Sequence, residues 1–467
     1  MKHMLASVVF VAFLSPAGAQ QPPEGKRLRS HPAAAPLPAL KYELLPELVD
    51  RHPGNAAVLY CRMCALDVLA HPKPETLDKL DAWLKTEPGK LPKEARDYGI
   101  GWVASKDLGR AARSEFCDWQ FLSSLREDGI GMLIPEASGM RHYGNLLALR
   151  ARARVGEGRL EEALHELQTG MSIARDIGSA PQLINSLVGV AIAGNMLDQV
   201  EALIQAPNSP NLYWALTDLP SPLIDFRAGF EGDSVAFYAM IPGLRESEGK
   251  PMTVEQAREQ GENLIRLLSD GAVGPDTGST SAAQRLGIAA LVAKFYPEAK
   301  RFVLSQGRSS AEVEAMPMIQ VVMIHALYQF RCMRDEIYKW RNVPFWHARK
   351  ALQRMPRIQR LEQAGMTFFG GLLPAYIGVS FAQVRLDRRI AALRCIEAVR
   401  LYAAAHEGKL PAALADISEV PIPIDPVTGN AFDYEISGDT AVLSAAAPPR
   451  EISQANNTIR YELTLGR

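Results

Sequence analysis

Cys61 and Cys64 are the residues whose spacing most directly suggests chemistry, because a CxxC pair can act as a redox-active dithiol. In thioredoxin-like proteins this pair lies at the N-terminus of a helix, where the helix dipole lowers the thiol pKa. Here the pair lies about two turns inside a helix that we predict to begin near Asn55. Ala65 also stands where a c-type haem motif requires His. We therefore interpret both as buried or partly buried helix cysteines and keep a redox role as the alternative.

A second group of residues suited to chemistry is a basic and aromatic run over positions 331–360. From it we select a candidate binding patch of six residues: Arg331, Lys339, Trp340, Arg341, Arg349 and Lys350. Cations interleaved with aromatic rings could bind an anionic polymer or an acidic partner such as another envelope protein. The alternative is a solvated face of two helices whose aromatic side chains pack inward.

The remaining motifs indicate no specific reaction. The sequence contains no P-loop, no paired-histidine zinc-protease helix and no dinucleotide-binding glycine motif. The segment Gly378-Val379-Ser380-Phe381-Ala382 fits a nucleophile elbow loosely, but no strand is predicted before its serine. The nine histidines show no i,i+4 pair and no cluster with cysteines. The sequence therefore predicts no catalytic residue, no cofactor and no metal ligand, and carboxylates that meet only in three dimensions remain open.

Composition and charge limit the classes of partner. The formal net charge is −1, and a general nucleic-acid binder needs a strong basic surplus, so we predict no nucleic-acid partner. The hydrophobic fraction of 47% is that of a globular protein with large cores. The five cysteines are an odd number, so at least one thiol stays unpaired within the chain.

Residues 1–19 are typical of a secretory signal peptide. Lys2 supplies the positive charge, residues 4–14 form a short apolar core, and Ala17-Gly18-Ala19 gives a small-x-small cleavage site. We therefore expect an exported protein, located in the periplasm or outside the cell. Residues 20–40 are rich in Pro, Ala and charge, which predicts a flexible leader.

From residue 41 to residue 365 the apolar residues follow a helical period, which predicts a body of stacked antiparallel helices. Further helices are predicted at 253–269, 281–305, 310–341 and 345–363, the first with a Thr253–Gln256 capping box. The segment Gly158-Arg159-Leu160-Glu161-Glu162-Ala163 resembles the turn and second-helix start of a tetratricopeptide repeat, and a weaker echo begins at Gly194. This resemblance implies paired helices and no particular ligand.

Residues 366–467 are predicted to form a C-terminal α+β module. Residues 366–384 contain no charge; we interpret them as a buried, broken helix and keep a membrane span as the alternative. An amphipathic helix follows over 384–406. A hairpin around Ser437-Gly438-Asp439 and a third strand over 459–465 complete a small antiparallel sheet. The predicted fold class is thus mainly α with a small C-terminal α+β module.

The C-terminal module also shows a family resemblance. Leu373-Pro374, the run from Arg394 to Tyr402 (RCIEAVRLY), Gly408-Lys409-Leu410-Pro411 and Asp425-Pro426-Val427-Thr428-Gly429 resemble the C-terminal part of uncharacterised exported bacterial proteins. Their order is also similar to the globular end of type II secretion pseudopilins, some of which bind calcium in a C-terminal loop. By that likeness Asp425, Asp433 and Asp439 could offer carboxylates to calcium, and we interpret them instead as turn and strand residues.

Three functional hypotheses follow from the sequence. The first is a non-enzymatic scaffold or binding protein of the cell envelope, because stacked helices generate surfaces suited to partners. The second is an envelope- or polysaccharide-directed hydrolase or lyase in an all-helical fold, which predicts convergent carboxylates or a Tyr/Arg/His cluster. The third is a pseudopilin-like secretion component, which predicts an exposed apolar helix around 366–384.

Overall fold

The computed structural model describes residues 25–66, 73–100, 104–129, 132, 134–240, 243–244, 246–270, 281–353, 373–447 and 457–466. The predicted signal peptide lies outside these residues. The described part of the chain contains 16 α-helices and two small sheets. This confirms the predicted fold class, mainly helical with a small C-terminal sheet.

Helices outnumber strands in both halves of the chain. The first half contains β1 (Lys26–Ser30), β2 (His52–Asn55), α1 (Ala56–Leu66), α2 (Pro74–Lys85), α3 (Lys93–Ile100), α4 (Ala104–Ala111), β3 (Ser114–Phe116), α5 (Phe121–Asp128), α6 (Pro135–Gly156), α7 (Leu160–Gly178), α8 (Leu183–Ile204) and α9 (Tyr213–Thr217). The second half contains α10 (Arg227–Met240), α11 (Val254–Asp270), α12 (Ala282–Ser305), α13 (Ser310–Glu314), α14 (Met318–Tyr338), α15 (Phe345–Gln353), α16 (Leu373–Ala405), β4 (Asp433–Ser437), β5 (Thr440–Ala445) and β6 (Ile459–Leu465).

The chain divides into two compact units. The sheet unit comprises the described residues up to Glu43, the segment Val200–Asp218 and the described residues from Asp387 onward. The helical unit comprises Leu44–Gln199 and Leu219–Leu386. This division differs from the predicted boundaries, since three segments that are distant in sequence build the sheet unit.

The sheet unit contains a four-stranded sheet in the order β1-β6-β5-β4. β4, β5 and β6 are antiparallel neighbours, as the hairpin and third strand predicted. β1 instead pairs in parallel with β6, with Leu28 opposite Leu463. Both of these leucines are buried, so β1 contributes to the core of this unit.

The prediction of a flexible leader over 20–40 is therefore wrong for its described part. Lys26–Ser30 forms a strand, and Ser30 also donates a 2.5 Å hydrogen bond to the carbonyl of Ile204. The composition of 20–40 does not predict this strand, because a five-residue strand among prolines satisfies its backbone hydrogen bonds through a partner strand that is distant in sequence.

In the helical unit, α6, α7 and α8 stack as antiparallel neighbours. Asn145 and Asn195 are hydrogen-bonded at 2.7 Å, and Arg152 reaches Gln199 at 2.9 Å, so α6 and α8 run in the same direction. α7, which follows the predicted turn where Gly158 has a φ of +73°, runs in the opposite direction to both. Close approach requires glycine at this stack, because a Cβ on Gly144 would lie 2.8 Å from Ile192.

Several predicted boundaries need correction. The second tetratricopeptide-like turn at Gly194 lies inside α8, so that part of the resemblance is wrong. The single helix predicted over 310–341 is interrupted at Pro317, which precedes α14. The helix predicted to begin at 384 begins at Leu373. In contrast, α11 and α12 match their predicted spans within one residue, and both halves of the Thr253–Gln256 capping box are present.

Two apolar helices bear on membrane association. Residues 366–372 lie outside the described residues, whereas Val379, Ala382 and Val384 of α16 are buried. Among the described residues, only α8 is long and apolar enough to cross a membrane, and most of its apolar window is buried. A core helix has the same length and composition.

Candidate functional site

The predicted binding patch lies on α14, the turn after it, and α15. Three of its cations form ion pairs with acids of the same unit. Arg331 contacts Glu248 at 2.7 Å, Arg341 contacts Glu231 at 2.9 Å, and Lys339 contacts Glu336 at 2.6 Å. The patch is therefore a surface of mixed charge rather than a basic one, because Glu231 and Glu248 come from sequence regions outside the run. Arg349 is half-buried, and the side chain of Lys350 lies outside the described part.

Aromatic rings order these cations. Lys339 lies 5.8 Å from the ring centroid of the half-buried Trp340, and Arg341 lies 5.6 Å from that of Tyr338. Tyr338 donates its hydroxyl hydrogen bond to the carbonyl of Phe230 on α10. Burial raises the pKa of Tyr338 to about 12, so it stays a donor at neutral pH. The half-buried rings of Trp340 and Tyr338 therefore contact Lys339 and Arg341 and restrict their positions.

A second candidate site was not predicted. It is a polar stripe along α7, formed by residues at i, i+3 and i+4 spacing that therefore share one helix face. We call these six residues the α7 stripe: His165, Gln168, Thr169, Ser172, Arg175 and Asp176. Their periodicity is visible in the sequence, but the partners that make the stripe unusual come from α1 and from the segments around β2 and β3.

Arg113 organises the first half of the α7 stripe. Its guanidinium contacts Nδ1 of His165 at 3.0 Å and donates to Gln168 and to the hydroxyl of Thr169. Burial lowers the pKa of Arg113, and burial together with Arg113 lowers the pKa of His165. His165 is consequently neutral at pH 7, and its ring nitrogen can accept from the guanidinium.

Asp176 ends the α7 stripe next to Tyr60 of α1. The fully buried Tyr60 donates a 2.8 Å hydrogen bond to Oδ2 of Asp176, and Trp119 donates its indole N–H to the Asp176 carbonyl at 2.8 Å. Burial raises the pKa of Asp176 to about 7, although Tyr60, Arg175 and Arg51 oppose that shift. Asp176 is thus a half-buried carboxyl group that exchanges a proton near neutral pH.

Asp233 on α10 is a second such carboxyl group. It accepts a 3.3 Å hydrogen bond from the backbone N–H of Leu183, the first residue of α8. Burial raises its pKa to about 7 as well. In the helical unit, burial therefore raises the pKa of Asp176, near the end of α7, and of Asp233, on α10 beside the start of α8, to about 7.

The acids considered for calcium serve a different purpose. Asp425 is fully buried, contacts Arg388 at 2.8 Å and accepts hydrogen bonds from the Val427 N–H and the Thr428 hydroxyl. Asp433 and Asp439 are exposed. Within the described ranges, no group of three or more His, Cys, Asp or Glu residues is placed to hold a metal ion.

Two charged residues of the motif behind the family resemblance form a buried network in the sheet unit. Glu397 and Arg400, from the RCIEAVRLY run, form a 2.7 Å ion pair with both side chains fully buried. Glu397 also accepts from the Leu212 N–H at 2.9 Å, and Arg400 donates to the Ser209 carbonyl at 2.9 Å. These bonds fix Val200–Asp218 within the sheet unit.

Comparison with family models, curated proteins and solved structures gives no match to this chain. The resemblances of the C-terminal module and of the α6–α7 turn therefore remain predictions, and the function of each candidate site rests on its own geometry.

Proposed function

We propose that the chain is an exported, non-enzymatic binding protein of the cell envelope, and that it recognises a partner protein with the surface formed by α10, α14 and the turn after α14. The export part of this proposal is supported by the signal-peptide pattern of residues 1–19. The observation that supports the binding part is the pairing of Arg331 and Arg341 with acids of neighbouring elements, beside ordered aromatic rings.

The charges favour a protein over an anionic polymer. A polyanion binds when unpaired cations of the protein displace the counterions condensed on the polyanion, and Arg331, Lys339 and Arg341 already have carboxylate partners. A protein surface can instead present both signs of charge and match both members of each pair. Arg and aromatic residues are also the types that contribute most to protein–protein binding energy.

The test is site-specific photocross-linking in the cell that produces the protein. A photoreactive residue replaces Asn342, which is exposed next to Arg341, and the control position is the exposed Leu286 on α12. We expect one discrete cross-linked species from position 342 and none from 286.

A charge swap sharpens this experiment. The double variant Glu231→Arg with Arg341→Glu retains the intramolecular ion pair but reverses both charges offered to a partner. We expect at least a roughly tenfold loss of the cross-linked species with unchanged thermal stability. Equal cross-linking with and without the swap would contradict the proposal. Retention on a dextran sulfate column that Arg341→Glu abolishes would favour the anionic polymer instead.

A second candidate function is a hydrolase or lyase acting on envelope polysaccharide, and the protonation of Asp176 favours it. A carboxyl group with a pKa of about 7 can donate or accept a proton at neutral pH, which is what a general acid requires. Tyr60 is fully buried and would act as a positioning residue through its hydrogen bond to Asp176.

The test of this second function measures new chain ends released from purified peptidoglycan and from a polyuronate. If Asp176 is the general acid, Asp176→Asn should reduce the rate by about 10²–10⁴-fold, and Tyr60→Phe should shift the pH profile. Asp78→Asn, an exposed acid on α2, is the control. Activity that survives in Asp176→Asn would eliminate this role.

A further inference from the structure

The surroundings of Cys117 are unusually well fixed. The β2–β3 register pairs Asn55 with Phe116, the residue before Cys117. The Asn55 side chain accepts from the N–H of Asp118 at 2.9 Å and donates to its carbonyl at 2.7 Å. Asn55 is the last residue before α1. Cys117 therefore lies between Phe116 and Asp118, which both contact Asn55.

The backbone N–H of Ala57, in the first turn of α1, donates a 3.0 Å hydrogen bond to Oδ1 of Asn55, and the Cys117 thiol lies close enough to this N–H for it to affect the thiol pKa. Cys61 follows Ala57 by four residues, so both lie on the same face of α1. Helical side chains lean toward the N-terminus and cover the preceding turn. The Cys61 side chain consequently extends over Ala57, where the Cys117 thiol lies. The stacked rings of Tyr60 and Trp119, 5.7 Å apart, bring the same two segments together next to these cysteines.

We propose that Cys61 and Cys117 form a disulfide bond when the folded or folding chain meets a disulfide-exchange donor in an oxidising compartment. The proposal goes beyond the binding function and uses only the export part of it. All five cysteines are thiols in the structure, and both Cys61 and Cys117 are partly accessible to an oxidant. The bond would join α1 to the segment before α5 and fix Tyr60 against Trp119 and Asp176.

The exchange balances with glutathione disulfide as the donor. The Cys61 thiolate attacks one sulfur of the donor, which breaks the donor S–S bond and releases one glutathione thiolate. The Cys117 thiol then loses its proton and attacks the Cys61 sulfur of the mixed disulfide, which releases the second glutathione. The two protons lost by the cysteines end on the two glutathione thiols. Cys61 attacks first because it is less buried, and burial raises the pKa of both thiols.

The experiment uses the full chain, refolded with oxidised or with reduced glutathione, quenched in acid, alkylated under denaturing conditions and mapped by mass spectrometry. After oxidation we expect three alkylated cysteines, namely Cys64, Cys332 and Cys395, and one linked peptide pair containing Cys61 and Cys117. After reduction we expect all five to be alkylated, as the sequence contains five.

Variants make the pairing specific. Cys64→Ser should retain the bond, because Cys64 lies on α1 one turn beyond Cys61 and is buried. Cys61→Ser and Cys117→Ser should each leave four alkylated cysteines and no linked peptide. A Cys61–Cys64 bond, a Cys64–Cys117 bond or five alkylated thiols after oxidative refolding would each overturn the proposal. If the bond forms with glutathione but is missing from protein recovered from the producing cell, the export proposal fails and the pairing stands.

Discussion

Asp176 shows how burial in a helical fold can raise the pKa of a carboxyl group into the neutral range. Its carboxyl group accepts from Tyr60, its carbonyl accepts from Trp119, and two arginines lie close enough to oppose its protonation. Burial nevertheless exceeds these effects and raises the pKa to about 7, so the protonated form is favoured in the folded state over most of the acidic range.

This shift predicts a pH dependence of stability. The folded-state pKa is above the unfolded value of 3.8, so the folded chain binds more protons between about pH 4 and 7 and loses stability as pH rises through that window. Asp176→Asn keeps an oxygen that can accept from Tyr60 but cannot ionise. We therefore expect the variant to lose less stability than the wild type between pH 4.5 and pH 8, by a few kcal/mol at about 1.36 kcal/mol per pKa unit.

The measurement is denaturant unfolding at both pH values, followed through tryptophan fluorescence. Asp78→Asn is the matched control, since Asp78 is exposed on α2. Parallel pH profiles for the wild type and Asp176→Asn would show that Asp176 does not titrate in this window.

At the scale of single elements, a buried ion pair explains the two charged motif residues Glu397 and Arg400 of α16, whereas Ile396 and Val399 beside them belong to the apolar core. Glu397 and Arg400 are one turn apart and both fully buried, and the backbone groups of Leu212 and Ser209 that they contact lie within the sheet unit. Removing one member of such a pair leaves the other charge buried without compensation.

Glu397→Gln should therefore destabilise the sheet unit by about 3–5 kcal/mol. Glu407→Gln, just after α16, should change stability by less than about 0.5 kcal/mol, because Glu407 and its partner Lys409 are both exposed. Urea unfolding of the two variants beside the wild type measures this difference. Similar small effects for both would mean that the buried pair contributes little.

The elements also differ in how far the sequence predicts them. Helices such as α11 and α12 have a local period and a local cap, so their ends were predictable to within one residue. The β2–β3 pair was not, because His52–Asn55 contains Pro and Gly and is a strand only through its distant partner. The α7 stripe was visible as a polar period, but nothing local indicated that Tyr60 and Arg113 would contact it. Glu231 and Glu248, which pair with cations of the predicted binding patch, were also not predicted, because they are distant from the patch in sequence.

At the scale of the whole molecule, the parallel pairing of β1 with β6 joins the two ends of the described chain. Cleavage after Ala19 would leave β1 in the mature protein, because β1 begins at Lys26. The sheet unit can form only when residues near the start and near the end of the chain meet. Such non-local contacts slow folding relative to the local helix pairs of the helical unit.

This topology predicts that a single substitution in β1 affects the far end of the chain. Leu28 is 1% exposed and pairs with Leu463, so Leu28→Asp should destabilise the sheet unit by at least about 3 kcal/mol. Arg27→Asp is the control on the same strand, because the Arg27 side chain is 87% exposed. Hydrogen exchange followed by mass spectrometry should show faster exchange of β6 in Leu28→Asp, with α6 and α7 unchanged. Exchange of β6 at the wild-type rate would mean that β1 is dispensable for this sheet, and the leader would then be the flexible segment that its composition predicts.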